Sequence, residues 1–181
     1  MNVLSLDLEM NQPSGSIIQV GYVIGNLQTS EIFTEKEFII KIPEVINPRI
    51  TTLTGITQAG VDQGVSLLEA YDHLVEDHHK YKCFMNPLVW GGGDHPVLIR
   101  QLKDKVPEIK NIFGRRWIDA KTVFISYRIA NNLKIQSGLA KSLTKLGLFF
   151  EGKKHTAKDD AKNTFRIYIA LLKKLKEEKQ G

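Results

Sequence analysis

The N-terminal run Val3-Leu4-Ser5-Leu6-Asp7-Leu8-Glu9-Met10 constrains the fold more than any other stretch of the chain. It reads as a buried strand. Alternation along a strand puts Asp7 and Glu9 on one face and Leu6, Leu8 and Met10 on the other. Two carboxylates side by side at the end of a core strand repel each other and cost free energy to desolvate. Either the strand ends there with both acids in water, or something positive compensates, most economically a divalent cation with oxygen ligands. The pair alone does not choose.

The segments that follow set this strand in a sheet. After the turn Asn11-Gln12-Pro13-Ser14-Gly15, the β-rich run Ile17 to Ile24 is expected to pair back antiparallel. Gln28-Thr29-Ser30 is a second turn and Ile32 to Ile42 a third strand, giving a three-stranded meander. Pro43 to Gly64, rich in Pro, Thr, Gly and Asn, reads as an irregular loop that contains Leu53-Thr54-Gly55-Ile56-Thr57. Ser66 and Glu69 make a capping box for a helix to about Lys80, with Leu67, Leu68, Tyr71, Leu74 and Val75 at helical spacing. Cys83 to Trp90 is a fourth strand, marred by Pro87, that runs into Gly91-Gly92-Gly93-Asp94. Asp94 is placed to cap a helix to about Lys105, with Pro96 in its first turn. Trp117-Ile118 is a short fifth strand, and helices are expected from Asp119 to about Ala130, from Gly138 to Leu146, and from about Thr156 to Glu178.

A meander followed by alternating helices and strands predicts an α/β fold: a five-stranded mixed sheet, three strands antiparallel and two parallel, flanked by helices. Strands one, four and five should be parallel and central, because crossover helices join them. The 181 residues suit a single domain spanning 1–181. Hydrophobic content of 42% and charged content of 25% are those of an ordinary soluble protein, with no run near the ~20 apolar residues of a membrane span. The N-terminus has neither the basic segment nor the clean apolar stretch of a signal peptide, so a cytoplasmic location is expected. One cysteine, Cys83, excludes an internal disulfide and a Cys-based zinc site. A net charge of +5 and a pI near 9.2 favour a polyanionic partner.

The acids converge. Ligand sites in such sheets lie beyond the carboxyl ends of the parallel strands. Asp7 and Glu9 stand at that end of strand one and Asp94 just after strand four. In the last helix Ala157, Ala161, Thr164, Phe165, Tyr168, Leu171, Leu172 and Leu175 form one stripe. Asp160 flanks this stripe and is expected to face the protein, and Asp159 lies opposite and should face solvent. His155 enters on the loop before that helix, near the same edge. Four carboxylates and a histidine suit hydrolysis of a phosphodiester with two divalent cations, Mg²⁺ or Mn²⁺. Asp7, Glu9, Asp94 and Asp160 would be the metal ligands and His155 would take a proton from the attacking water.

The blocks Leu6-Asp7-Leu8-Glu9-Met10, Trp90-Gly91-Gly92-Gly93-Asp94 and His155-Thr156-Ala157-Lys158-Asp159-Asp160-Ala161 together resemble the DEDDh family of 3′–5′ exonucleases, which has a ribonuclease H-like fold. The His-x4-Asp spacing favours this type over the sister group, which carries a Tyr where Thr156 stands. Leu53-Thr54-Gly55-Ile56-Thr57, Arg116-Trp117-Ile118-Asp119 and Leu143-Thr144-Lys145-Leu146-Gly147-Leu148 look like the Eri1-type RNA exonucleases and the bacterial sporulation-kinase-pathway inhibitors. The resemblance implies that Asp7 bridges both ions, that Glu9 and Asp160 hold one and Asp94 the other, and that His155 is the general base. It also implies that Met10, Leu53, Thr54, Gly55 and Ile56 flank the terminal nucleotide. The expected products are 5′-nucleoside monophosphates released from the 3′ ends of RNA or single-stranded DNA.

Several rivals stay open at this level. A DNA-directed proofreading-type exonuclease, a catalytically silent nucleic-acid-binding regulator and an aspartate-nucleophile phosphatase all share parts of the pattern, although the last prefers an Asp where Glu9 stands. A homodimer is an open alternative to a monomer. His73, Asp77, His78 and His79 could form a metal cluster, but a solvated helix face is the simpler reading. Trp117 reads as core, and Lys153, Lys154, Lys158 and Lys162 surround the third block as either solvated lysines or phosphate contacts.

Overall fold

A computed structural model of the protein describes residues 1–135 and 138–177. β1 (Asn2–Met10), β2 (Ile17–Asn26) and β3 (Ile32–Ile39) form the antiparallel meander. β4 (Leu88–Val89) and β5 (Ile118–Asp119) continue the sheet in parallel, in the spatial order β3-β2-β1-β4-β5. β1 is therefore the central strand. β5, expected to be central, is instead an edge strand, because the chain after it makes only helices.

Two strands are shorter than their sequence suggests. Pro87 lacks an N–H for the ladder, and only Leu88 and Val89 of the Cys83–Trp90 stretch pair as strand. The residues before them hold the edge through single bonds, such as the Phe84 N–H to the Asn2 carbonyl at 2.8 Å. β3 ends at Ile39; beyond it Ile40 still donates its N–H to the Ile18 carbonyl at 2.8 Å while bridging Val65, and the Lys41 N–H bonds the Val65 carbonyl at 2.9 Å. The stretch read as an irregular loop contains two short helices. Asn47 caps α1 (Pro48–Thr54) by accepting from the Arg49 N–H, and Gly55 at φ 82° ends it in the left-handed region. Thr57 caps α2 (Gln58–Asp62) by accepting from the Gly60 N–H.

Helices cover both faces. α3 (Leu67–Lys80), with Ser66 accepting from the Glu69 N–H, brings Leu67, Tyr71 and Leu74 against Leu4, Leu6, Leu8 and Tyr22. On the opposite face lies α7 (Ala157–Glu177), with α5 (Ala120–Ala130) and α6 (Leu139–Lys145) outside it; α4 (Asp94–Lys105) flanks the first core. α7 is thus sandwiched, and its buried surface is wider than the predicted stripe. Phe165 and Ile169 meet Val3 and Leu88 of the sheet, while Ile167 and Leu171 meet Phe124 and Leu143. Leu175, assigned to the stripe, is 38% exposed beyond the end of this packing. Residue Glu178, the predicted helix end, lies outside the described residues. Each fully buried Leu, Ile or Phe contributes roughly 1.5–3 kcal/mol, so α7 is anchored strongly on both sides. Among the described residues no helix is long and apolar enough to cross a membrane.

Candidate active site

The site is built where α7 comes down on β1 and β2. Gly21 stands across from Asp7 and Gln19 across from Glu9 in the antiparallel ladder. Because Gly21 has no side chain, the first turn of α7 lies directly on it: a Cβ there would be 2.0 Å from the Lys158 nitrogen. Gly25 gives the same room to the Phe165 ring. Two polar groups on this face complete the seat. The Gln19 Oε1 accepts the Ala157 N–H at 2.8 Å, and the Ser5 hydroxyl donates to the Ala161 carbonyl at 2.8 Å. This packing places Asp160, one residue before Ala161, against the carboxylates of β1.

Asp94 arrives from the other neighbour of β1. β4 aligns Leu88 with Ser5, and the chain then turns through Gly91 at φ 94°. The Gly91 N–H donates to Asp119 Oδ1 at 2.8 Å, and the same carboxylate accepts from the Lys121 N–H and the Thr122 hydroxyl at the start of α5. Asp119, a helix start and the last residue of the Arg116-Trp117-Ile118-Asp119 block in the sequence, therefore also pins the glycine loop. Asp94 does not cap α4 as expected. It is the first residue of that helix, Gly93 occupies the cap position without a side-chain bond, and the Asp94 carboxylate is one of those repelling Asp7.

The four acids act on one another. Burial, ahead of repulsion from Asp94, Asp160 and Glu9, pushes the Asp7 carboxyl well above the usual carboxylate range. Burial first, then Asp160 and Asp94, raises Glu9 to about 7. Burial raises Asp94 to about 7. Asp160 is raised to about 6 by burial, against the opposing influence of the His155 charge and backbone N–H. Among the described residues no Lys or Arg forms an ion pair with any of the four. Glu9, His155 and Asp160 each offer a ligand atom, all within 4.8 Å of one another. Oxygen donors that are partly desolvated and have no Lys or Arg pair among the described residues fit a hard divalent cation.

The other predicted residues divide. Met10 is half-buried at the end of β1, and Leu53 is 46% exposed at the end of α1. Ile56, expected at the terminal base beside Leu53, is instead buried with Ile18, Ile46, Ile50 and Val61. Thr54 is buried too, its hydroxyl donating to the Ile50 carbonyl and accepting the Ile56 N–H. Asp159 does not face solvent freely: its Oδ2 accepts the Lys153 N–H at 2.8 Å and the Thr156 hydroxyl at 3.1 Å. Lys153 reaches the Thr54 carbonyl at 2.8 Å, and Lys162 pairs with Glu35 at 2.9 Å, so neither is merely solvated.

The histidine-rich turn of α3 is not the solvated face that its composition suggested. Asp77 and His78 are buried, Asp77 accepts from the Tyr22 hydroxyl at 2.8 Å and pairs with Lys36 at 2.7 Å, and His73 stacks on Phe38. Trp117, expected in the core, is partly buried against its edge, packing edge-on to Phe113 and stacking on His95. The residues that sequence reasoning missed are Gly21, Gly25, Gln19 and Ser5. Their signal was small or polar residues recurring at even spacing within otherwise apolar strands.

Comparison with known proteins gives a consistent picture. The family model described as RNase_T, exonuclease, matches residues 4–168. Human ERI1 exoribonuclease 2 is 25% identical over 173 residues, covering 83% of this chain and 24% of that protein. The Drosophila melanogaster 3′-5′ exonuclease Snipper is 28% identical over 180 residues, covering 87% of this chain and 61% of that one. The chain therefore spans less than two thirds of the length of either relative. Among solved structures, the nuclease domain of 3′hExo, a DEDDh family member bound to rAMP, superimposes with a TM-score of 0.78 at 22% identity. That match covers 96% of this chain and 92% of the other, and it supports the fold.

Proposed function

This chain belongs to the RNase_T exonuclease family, and we propose that it is of the DEDDh type and removes nucleotides from the 3′ ends of RNA, releasing 5′-nucleoside monophosphates with the help of two divalent cations. The observation that carries the reading is the gathering of Asp7, Glu9, Asp94 and Asp160 at one sheet edge, where they repel one another with no Lys or Arg paired to any of them among the described residues. A fold keeps such a cluster when a cation is part of the working protein.

Asp7 lies among the other three acids and is the residue suited to bridging two ions. Glu9 and Asp160 would hold one ion and Asp94 the other. Bound there, the cations would neutralise the scissile phosphate and lower the pKa of the attacking water. His155 stands with Glu9 and Asp160 and accepts the water's proton. Leu53 and Met10 give the terminal nucleoside apolar contact, which tolerates any base. RNA is the preferred substrate in this reading, supported by relatives that are named exoribonucleases and by a structural neighbour bound to rAMP.

The test uses single-stranded RNA and DNA of one sequence, labelled at the 5′ end, with Mg²⁺ or Mn²⁺. A ladder shortening from the 3′ end, with 5′-monophosphates released and RNA cleaved faster, is expected. Activity should vanish in EDTA and in Asp7→Ala. Cleavage that survives EDTA would defeat the metal-dependent reading, and faster cleavage of DNA would move the substrate assignment to the proofreading-type alternative.

A further inference from the structure

The turn that carries His155 is held by a set of contacts that the reaction itself does not require. It runs from Glu151 to Thr156 and has two residues in the left-handed region, Gly152 at φ 84° and His155 at φ 61°. A non-glycine residue there is strained unless its surroundings hold it. Asp160 takes the His155 N–H, and a second holding group is Asp159, which reaches back from the first turn of α7. Its Oδ2 accepts both the Lys153 N–H at 2.8 Å and the Thr156 hydroxyl at 3.1 Å, and the Thr156 hydroxyl also donates to the Lys153 carbonyl. The fit is close: a Cβ on Gly152 would be 2.3 Å from the Asp159 carboxylate. Buried Asn163 fixes the start of the turn, donating to the Glu151 and Asp159 carbonyls at 2.8 and 2.7 Å while its Oδ1 accepts the Glu151 N–H at 3.1 Å.

The same turn is tied across the site. Lys153 sends its ammonium to the Thr54 carbonyl at 2.8 Å, beneath Gly55, where a Cβ would be 2.1 Å from Nζ. Thr54 follows Leu53 at the end of α1. The end of α1 that carries Leu53 and the turn that carries His155 are therefore joined by a hydrogen bond whose donor stands two residues from His155.

We propose that Asp159 and Lys153 are positioning residues that set His155 in its working place, Asp159 by holding the left-handed turn and Lys153 by coupling that turn to the Leu53–Ile56 segment. This rests on the reading of His155 as the general base. Neither residue touches the reacting atoms in this scheme. Asp159 differs in role from its neighbour Asp160 because its carboxylate is spent on the turn, whereas Asp160 is grouped with Glu9 and His155. Coupling through Lys153 gives the enzyme a means of setting the base when the terminal nucleoside is seated.

A double-mutant cycle tests the assignment on the full chain with saturating Mn²⁺. Asp159→Ala should lower kcat by about 10²-fold, the usual cost of misplacing a catalytic group, with KM and Mn²⁺ affinity changed little. Asp159→Asn keeps an oxygen able to accept the Lys153 N–H and should recover most of the loss. In a His155→Ala background, Asp159→Ala should cost less than about twofold more, because the residue acts through a group already removed. Lys153→Met leaves Asp159 untouched and should also lose its effect in the His155→Ala background, so a poorly folded Asp159 variant would not shelter the idea. Full multiplication of the two losses, or normal kcat in both Asp159→Ala and Lys153→Met, would overturn the positioning role. A His155→Ala variant with normal kcat would instead remove the general-base reading, and the proposal with it.

Discussion

Gly21 lies directly beneath the backbone nitrogen of Lys158, so closely that a Cβ on Gly21 would be 2.0 Å from it. Gly21 is also the ladder partner of Asp7. One bare Cα therefore sets how near α7, and with it Asp160, can come to the acids of β1. Gly21→Ala should push the first turn of α7 away, since the obstructing atoms are backbone and cannot swing aside. We expect a loss of about 1–3 kcal/mol, typical of overpacking, read as a lower Tm. Mn²⁺ affinity and turnover should fall further than this loss of folded protein explains. A variant with wild-type Tm and wild-type Mn²⁺ affinity would show that the seat of α7 is set elsewhere.

Proton linkage at the four acids makes a second prediction. In an unfolded chain such carboxyls titrate near ~4. In the fold Glu9 and Asp94 are raised to about 7 and Asp160 to about 6, and Asp7 is raised as well. Between those values the native state keeps protons that the unfolded chain has released, so raising the pH favours unfolding. The contribution of these groups to stability is whole below ~4 and is lost as the pH rises through about 6 and about 7. Added Mn²⁺ should reverse this, because it binds the ionised acids, and its effect on Tm should grow over the same range. Thermal melts in EDTA and in Mn²⁺ across this window check it. A Mn²⁺ increment that is equal at both ends would mean that the cluster is not the binding site.

Most of this geometry could be read from the residues, and what could not has physical reasons. Strand alternation placed Asp7 and Glu9 on one face, and the C-terminal edge of parallel strands brought in Asp94; both follow from local periodicity and topology. Sequence periodicity does not reveal the short helices α1 and α2, although Asn47-Pro48 and Thr57 are ordinary helix starts, because segments this short contain too few turns. Angular spacing on α7 turns Asp159 toward solvent because it says nothing about a loop folded back over the first turn. Asp77 and His78 read as solvated in the sequence because their partners, Tyr22, Lys36 and the Phe84 carbonyl, are distant in the chain or beyond the helix end. Long-range polar pairing leaves no periodic trace in a sequence.

Leu53 gives a prediction about specificity. The residue is 46% exposed while Ile56 is buried in its own cluster, so of the two Leu53 alone offers a free apolar surface. Leu53→Ala should leave stability within about 0.5 kcal/mol, as for most exposed positions. It should raise KM by roughly tenfold, the scale of a lost apolar contact, and by a similar factor for each of the four 3′-terminal bases. Competition among substrates that differ only in that base is the measurement. A penalty confined to one base would mean that this residue reads identity rather than packing on a shared surface.

His155 raises the sharpest question, because it stands within 4.8 Å of ligand atoms on both Glu9 and Asp160 and could serve as base or as ligand. The two roles separate under saturating Mn²⁺. A bound cation stabilises the ionised forms of Asp7, Glu9, Asp94 and Asp160, so these acids cease to titrate in the pH range where the free protein holds their protons. The acidic limb that remains in kcat then belongs to the group that must be deprotonated to accept the water's proton. If that group is His155, activity rises with pH and then levels off in the wild type. In His155→Ala the limb should disappear and kcat should fall by roughly 10²–10⁴, the usual worth of general base catalysis. Mn²⁺ affinity, measured by calorimetry, should change far less than in Glu9→Ala, since the carboxylates carry the charge that holds the ion. A metal ligand would show the opposite pattern: affinity lost as in Glu9→Ala, and the acidic limb preserved once enough Mn²⁺ is added to refill the site. That outcome would transfer the proton to another acceptor and leave His155 as part of the cation's shell.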